Sequence, residues 1–73
     1  MNTREIVNRF GGPVTLAHHL GIRSQAVSLW GSKGRIPMAR VPELVRISRL
    51  LKLGFRAEDL RPDIDWAALK GRK

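Results

Sequence analysis

The residues from Leu16 to Trp30 follow a spacing that two short, crossing helices require. Ala17 is small where such helices approach most closely, and Gly21 can adopt the left-handed conformation of a tight turn. Apolar residues occupy the inward positions on both sides of this turn: Leu16, Leu20, Ile22, Val27 and Trp30. The pattern predicts a helix-turn-helix, with a helical hairpin that serves packing alone as the alternative.

Gly and Pro residues divide the first half of the chain into short helices. We expect a first helix over Thr3–Phe10, capped by Asn2 and Glu5, and a second from Pro13 that ends at Gly21. Apolar residues at helical spacing give the second helix its inward face: Val14, Leu16, Ala17 and Leu20. A third helix is expected over Gln25–Trp30, with Ser24 as its N-cap and a loop containing Gly31, Gly34 and Pro37 after it.

The second half of the chain shows one long amphipathic pattern and two shorter signals. A fourth helix of about three turns should begin between Met38 and Val41 and end at Gly54. Its apolar residues are Val41, Leu44, Val45, Ile47, Leu50 and Leu51. A single turn over Ala57–Arg61 and a final helical turn within residues 63–73 follow, and strand signals are weak throughout. The expected fold is therefore all-α, a small helix-turn-helix domain of four to five helices.

The net charge of +8 is unevenly distributed along the chain. Residues 1–57 contain ten basic and two acidic side chains, whereas residues 58–73 contain four of each. Such an excess serves solubility or forms a phosphate-facing surface. Charge alone leaves DNA, RNA and an anionic membrane open as partners.

Length and composition exclude several classes of protein. A chain of 73 residues without cysteine has room for one small core and excludes a large enzyme, a disulfide framework and a cysteine-based zinc site. His18 and His19 are adjacent on a helix and point about 100° apart, so they cannot chelate one ion. We therefore expect no catalytic residues, no metal and no cofactor. The apolar runs are too short to span a bilayer, which predicts a cytoplasmic protein.

Three segments of the helix-turn-helix region resemble one known family. The run from Arg9 to Ile22, followed by Ser24–Trp30 and Gly34–Pro37, is similar to the Cro repressors of lambda-like bacteriophages and the related YdaS-type regulators of prophages. The residues Leu60–Asp63, with Trp66 after them, resemble the end of YdaS-like members. Because Cro-like proteins have either helical or β-hairpin C-terminal halves, the resemblance leaves that half open, and the residue pattern favours helix.

The resemblance implies a sequence-specific repressor of transcription that binds double-stranded DNA, with the third helix in the major groove. The residues expected to contact bases are Arg23, Ser24, Gln25, Ser28 and Leu29. Gln25 is the strongest of these candidates, because its amide can pair with adenine through two hydrogen bonds. Leu29 either touches a thymine methyl group or is simply exposed. Phosphate contacts are expected from Thr15, Lys33, Arg35 and Arg40.

The resemblance also implies a homodimer on a near-palindromic operator in the bacterial cytoplasm. Residues 1–57 would form the DNA-binding domain, and residues 58–73 a tail that packs on it or contributes to dimerisation. Four apolar residues are candidates for the dimer interface: Phe55, Ile64, Trp66 and Leu69. The alternative function is a protein-interaction module, such as an antitoxin-like or regulatory partner that reuses the scaffold.

Overall fold

The computed structural model describes residues 2–70, which form helices and no strands. Six α-helices and one 3₁₀ turn succeed one another in this part of the chain: α1 Thr3–Arg9, α2 Pro13–Leu20, α3 Ser24–Lys33, the 3₁₀ turn Met38–Arg40, α4 Val41–Leu51, α5 Ala57–Leu60 and α6 Trp66–Lys70. The predicted all-α class is confirmed. The helices outnumber the four to five expected because the last turn forms a separate helix, whose start is stabilised by a hydrogen bond from Ala68 N to Asp65 Oδ1.

The predicted cap of α1 is present. Asn2 Oδ1 accepts a hydrogen bond of 2.9 Å from Glu5 N, and Glu5 Oε1 accepts one of 3.3 Å from Asn2 N. Two of the N–H groups that a helix start leaves without partners are thereby satisfied. The helix ends one residue earlier than expected, and the next residue, Phe10, is buried in the core.

The turn between α2 and α3 has the predicted geometry. Ala17 is buried, and Gly21 adopts a left-handed conformation with φ 69°. Ile22 N donates to the carbonyl oxygen of Ala17 at 3.0 Å, which closes the turn. The expected inward position of Val14 is wrong: its side chain is 72% exposed, because α2 turns its buried face toward α3 through Leu16 and Ala17.

Helix α3 differs from its prediction at both ends. Ser24 is its first residue and Arg23, in an extended conformation, is the N-cap, so the expected cap at Ser24 is wrong. The helix continues through Gly31 to Lys33 and ends at Gly34, which has φ 78°. The side chain of Arg4 crosses over Gly31, and a Cβ atom at this position would lie only 2.9 Å from Arg4 Cγ. The close contact explains why a glycine occupies this position inside the helix.

Helix α4 buries one face, but its last turn departs from the expectation. Val41, Leu44 and Ile47 are buried, and Ser48 is buried with them. Leu50 is 76% exposed and Leu51 is exposed as well, because neither lies on the face that meets the core. The chain leaves the helix at Lys52, which adopts a left-handed conformation before Gly54 is reached.

The segment after α4 packs on the same core as α1 to α4. Phe55 stacks on Phe10 with a centroid distance of 5.5 Å, and its N–H donates to Ser48 Oγ at 2.8 Å. Leu60 is buried, and Trp66 packs against the core from outside. Phe55 and Trp66 therefore pack on the core of their own chain, although both were candidates for a dimer interface.

Candidate nucleic-acid interface

Helix α3 presents one polar edge to solvent. Arg23, Gln25 and Ser28 are exposed, Ser24 is partly exposed, and Leu29 is 54% exposed. The structure therefore brings all five expected base-contact residues together at the start and along the outer side of one helix. The opposite side of α3 holds Val27 and Trp30, both buried. These two anchors fix which side of the helix faces outward.

The start of α2 offers hydrogen-bond donors. Gly12 is its N-cap, Pro13 is its first residue, and within the described chain no side chain caps this end. The N–H groups of Val14 and Thr15 have no acceptor inside the helix, because an α-helix leaves its first N–H groups unpaired. The Thr15 side chain is exposed and lies over Gly11, where a Cβ atom would come within 2.9 Å of its Cγ2. An anion approaching this end would meet N–H groups, a hydroxyl group and a favourable helix dipole.

The basic residues after α3 fall into two groups. Lys33 and Arg35 are exposed, in the last turn of α3 and just beyond it. Arg40 is partly buried, and its Nη1 lies 3.0 Å from Glu43 Oε1. Two cations are thus presented beside α3, whereas the third is engaged by a carboxylate.

No acidic residue lies between Glu5 and Glu43 in the sequence. Residues 6–42 comprise α2, the turn, α3 and the basic loop, and their charged side chains are Arg9, Arg23, Lys33, Arg35 and Arg40. A surface with charges of one sign produces an attractive field for polyanions. The stretch of chain that contains α2 and α3 therefore carries a net charge of +5.

The described residues contain no other cluster with evident chemistry. His18 and His19 are both exposed, with ring centroids 6.5 Å apart and planes inclined by 60°. Within residues 2–70, no three His, Asp or Glu side chains converge as a metal site would need. No helix in that range combines the length and apolar character needed to cross a bilayer.

Arg61 is a residue whose role the sequence analysis missed. Its side chain is only 12% exposed and donates from Nη1 to the carbonyl oxygen of Ile36 at 2.9 Å. Nε and Nη2 donate to the two carboxylate oxygens of Asp63, at 2.9 and 2.7 Å. The pattern Arg61-Pro62-Asp63 hints at the ion pair, but no sequence signal points to Ile36, 25 residues away.

The Arg61–Asp63 pair also changes the protonation of Asp63. Hydrogen bonds from the guanidinium lower the pKa of Asp63 from 3.8 to about 2, with the nearby charge of Arg35 acting in the same direction. The same hydrogen bonds raise the pKa of Arg61. Both groups are therefore charged at neutral pH.

Comparisons with known proteins agree with this arrangement. The model of the family described as bacterial toxin YdaS matches residues 3–69. A similar solved structure is the Cro protein from the candidate prophage element Xfaso 1 in Xylella fastidiosa strain Ann-1. It is 35% identical, the match covers 88% of this chain and 95% of that chain, and the TM-score is 0.67. No curated protein gives a significant match.

The two matches extend over nearly all of the described residues. The residues matched by the family model include α2 and α3 as well as the segment from Leu60 to Trp66, on which the sequence resemblance rested. The chain belongs to the Cro and YdaS-type family of phage and prophage regulators.

Proposed function

We propose that this protein is a transcriptional repressor that binds double-stranded DNA sequence-specifically, with α3 in the major groove. The observation that carries the proposal is the exposed polar edge of α3, which lies in a stretch without acidic residues, between the start of α2 and the exposed cations Lys33 and Arg35. The ten residues of α3 are about 15 Å long, and an α-helix fits a major groove about 12 Å wide.

Base reading is assigned to the residues at the start of α3. Gln25 is exposed there, and its side-chain amide can form two hydrogen bonds with adenine: its N–H donates to N7, and its oxygen accepts from the N6 amino group. Arg23 can pair with guanine, and Ser24 and Ser28 accept or donate according to the base. Leu29, with its exposed side chain, is proposed to touch a thymine methyl group.

Phosphate binding is assigned to the groups that flank α3. Thr15 and the N–H groups at the start of α2 contact one stretch of backbone, and Lys33 and Arg35 contact another. Arg40 contributes less, because Glu43 holds its guanidinium. These contacts fix the register of α3 on the duplex and carry no sequence information themselves.

The operator is proposed to be a near-palindrome bound by a homodimer. Residues 1–57 supply the DNA contacts, and residues 58–73 support them and contribute to dimerisation. Since Phe55 and Trp66 pack on their own protomer, Leu69 is the tail residue best placed for an interface, with 42% of its surface exposed. Two-fold symmetry places the half-site centres about 34 Å apart.

A protein-interaction module is the second candidate function. It is favoured by three exposed leucines on α4 and α6: Leu50, Leu51 and Leu69. The family description as a bacterial toxin is also compatible with a protein target. In this case the chain would bind DNA only at non-specific strength.

Selection of binding sites from random duplex DNA tests the proposal. We expect enrichment of a near-palindrome that is bound far more tightly than the roughly 10⁻⁴–10⁻⁶ M of non-specific binding at physiological salt. Enrichment of no sequence would contradict the proposal and favour the interaction module. The Gln25→Ala variant is the matched control, since it should select the same half-site spacing with relaxed preference at one position.

A further inference from the structure

We propose that Arg61 is a positioning residue for DNA binding, which holds the loop after α3 so that Arg35 is presented to a phosphate. The inference rests on the proposed function and extends it to a residue that touches no DNA. It assigns part of the DNA-binding geometry to the C-terminal segment.

The loop is held at two points. At its start, Gly34 N and Arg35 N donate to the carbonyl oxygen of Trp30, at 2.9 and 3.1 Å. At Ile36, whose side chain is fully buried, the backbone carbonyl oxygen accepts the hydrogen bond from Arg61 Nη1. The N–H of Arg35 is itself held at the first point, and the residue after Arg35 is held at the second. The backbone of Arg35 is therefore fixed on both sides.

Arg61 is itself fixed by the elements around it. Its backbone N donates to the carbonyl oxygen of Ala57 in α5 at 2.9 Å, and its carbonyl oxygen accepts a hydrogen bond of 2.8 Å from Trp66 Nε1. Asp63 orients the guanidinium, because its two carboxylate oxygens accept hydrogen bonds from Arg61 Nε and Nη2. The hydrogen bond to Ile36 is therefore supported by residues from α5 to α6.

Arg61 also controls a competing charge. Asp63 is near enough to Arg35 for that cation to favour the ionised carboxylate. Because Arg61 occupies both oxygens of Asp63, Arg35 stays available for a phosphate. Without Arg61, an unpaired carboxylate would compete with DNA for Arg35.

A charge-neutral double variant, Arg61→Gln with Asp63→Asn, tests the proposal at the net charge of the wild type. We expect affinity for the selected operator and for a random duplex to fall by a similar factor of about ten, because a phosphate contact carries no sequence information. The slope of log affinity against log salt should decrease by about 1, since one phosphate contact is lost. Wild-type affinity and slope on the operator would overturn the proposal.

A double-mutant cycle with Arg35→Ala identifies the route of the effect. If Arg61 acts through Arg35, the Arg35→Ala change should reduce operator affinity much less in the Arg61→Gln, Asp63→Asn background than in the wild type. Additive losses would overturn the proposal. Thermal melting followed by circular dichroism verifies that each variant is folded at the temperature of the binding assay.

The single variant Asp63→Asn keeps the proposal testable if the double variant does not fold. Removal of one negative charge should tighten DNA binding if only overall charge matters. If Arg61 positions the loop, the loss of the Asp63 carboxylate should weaken its hold on Ile36 and therefore weaken operator binding. Tighter binding would overturn the proposal. If the wild type enriches no DNA sequence, both the proposed function and this inference fail. If the wild type enriches an operator and the double variant binds it with unchanged affinity, only this inference fails.

Discussion

The side chain of Arg4 in α1 crosses over Gly31 in α3. A Cβ atom at Gly31 would lie 2.9 Å from Arg4 Cγ and 3.3 Å from Arg4 Nε, closer than two side chains normally approach. Glycine is unfavourable inside a helix by about 1 kcal/mol relative to alanine. Its presence in α3 is explained by the close approach of α1.

This relationship predicts a non-additive pair of substitutions. In an Arg4→Ala background, Gly31→Ala should raise the free energy of unfolding by about 1 kcal/mol, because the helix gains a better residue at no steric cost. In the wild type the gain should be smaller or reversed, because the Arg4 side chain must move. Urea denaturation of the four proteins measures the difference. Equal gains in both backgrounds would show that Arg4 places no constraint on Gly31.

Ser48 provides a second prediction about stability. Its buried hydroxyl accepts the hydrogen bond from Phe55 N, so Ser48→Ala leaves that N–H without its partner and should cost about 1–3 kcal/mol in unfolding free energy. Ser32→Ala, at an exposed position of α3, is the control and should change stability by about 0.5 kcal/mol or less. Similar values for the two variants would refute the role assigned to Ser48.

The lowered pKa of Asp63 predicts part of the acid sensitivity of the fold. Because the folded state lowers this pKa from 3.8 to about 2, the ionised carboxylate stabilises the fold above pH 3.8, and this contribution is lost as the pH falls toward 2. The Asp63→Asn variant should therefore show a shallower loss of stability between these values. Melting temperatures measured across that range test this, with Ser32→Ala, which alters no titratable group, as the control that keeps the wild-type slope. A wild-type slope in Asp63→Asn would contradict the prediction.

The ion pair between Arg40 and Glu43 predicts a variant that binds DNA more tightly. Glu43→Gln removes the carboxylate 3.0 Å from Arg40, so the guanidinium becomes available to a phosphate. Affinity should rise for operator and random duplexes alike, and the salt slope should increase by about 1. Glu58→Gln in α5 makes the same change of charge elsewhere and should have a smaller effect. Equal effects of the two variants would indicate overall charge rather than Arg40.

The features predicted well from the sequence depend on residues close together in the chain. Ala17 and Gly21 specify the turn between α2 and α3 through local sterics, and Asn2 with Glu5 specifies the cap of α1. The interior position of Gly31 could not be predicted, because it depends on a side chain from α1. Without that contact, glycine is expected to end a helix.

The same distinction applies to the candidate interface. The exposed edge of α3 follows from helical periodicity, so Gln25 and Ser28 could be assigned to it from the sequence. The contact of Arg61 with Ile36 joins residues far apart in the chain and involves a backbone atom, which carries no residue-specific signal. The burial of Ser48 was missed because its partner is the backbone N–H of Phe55, again outside the helix pattern.

Gln25 is proposed to read bases, whereas Lys33 is proposed to bind the phosphate backbone. Two single variants test this difference most directly. Operator and random-duplex affinities are measured across a salt titration for Gln25→Ala and Lys33→Ala, with Arg46→Ala on α4 as the control for charge. We predict that Gln25→Ala loses about 1–3 kcal/mol on the operator alone, whereas Lys33→Ala weakens both duplexes similarly and reduces the salt slope by about 1. Equal losses on operator and random DNA for both variants would contradict the account.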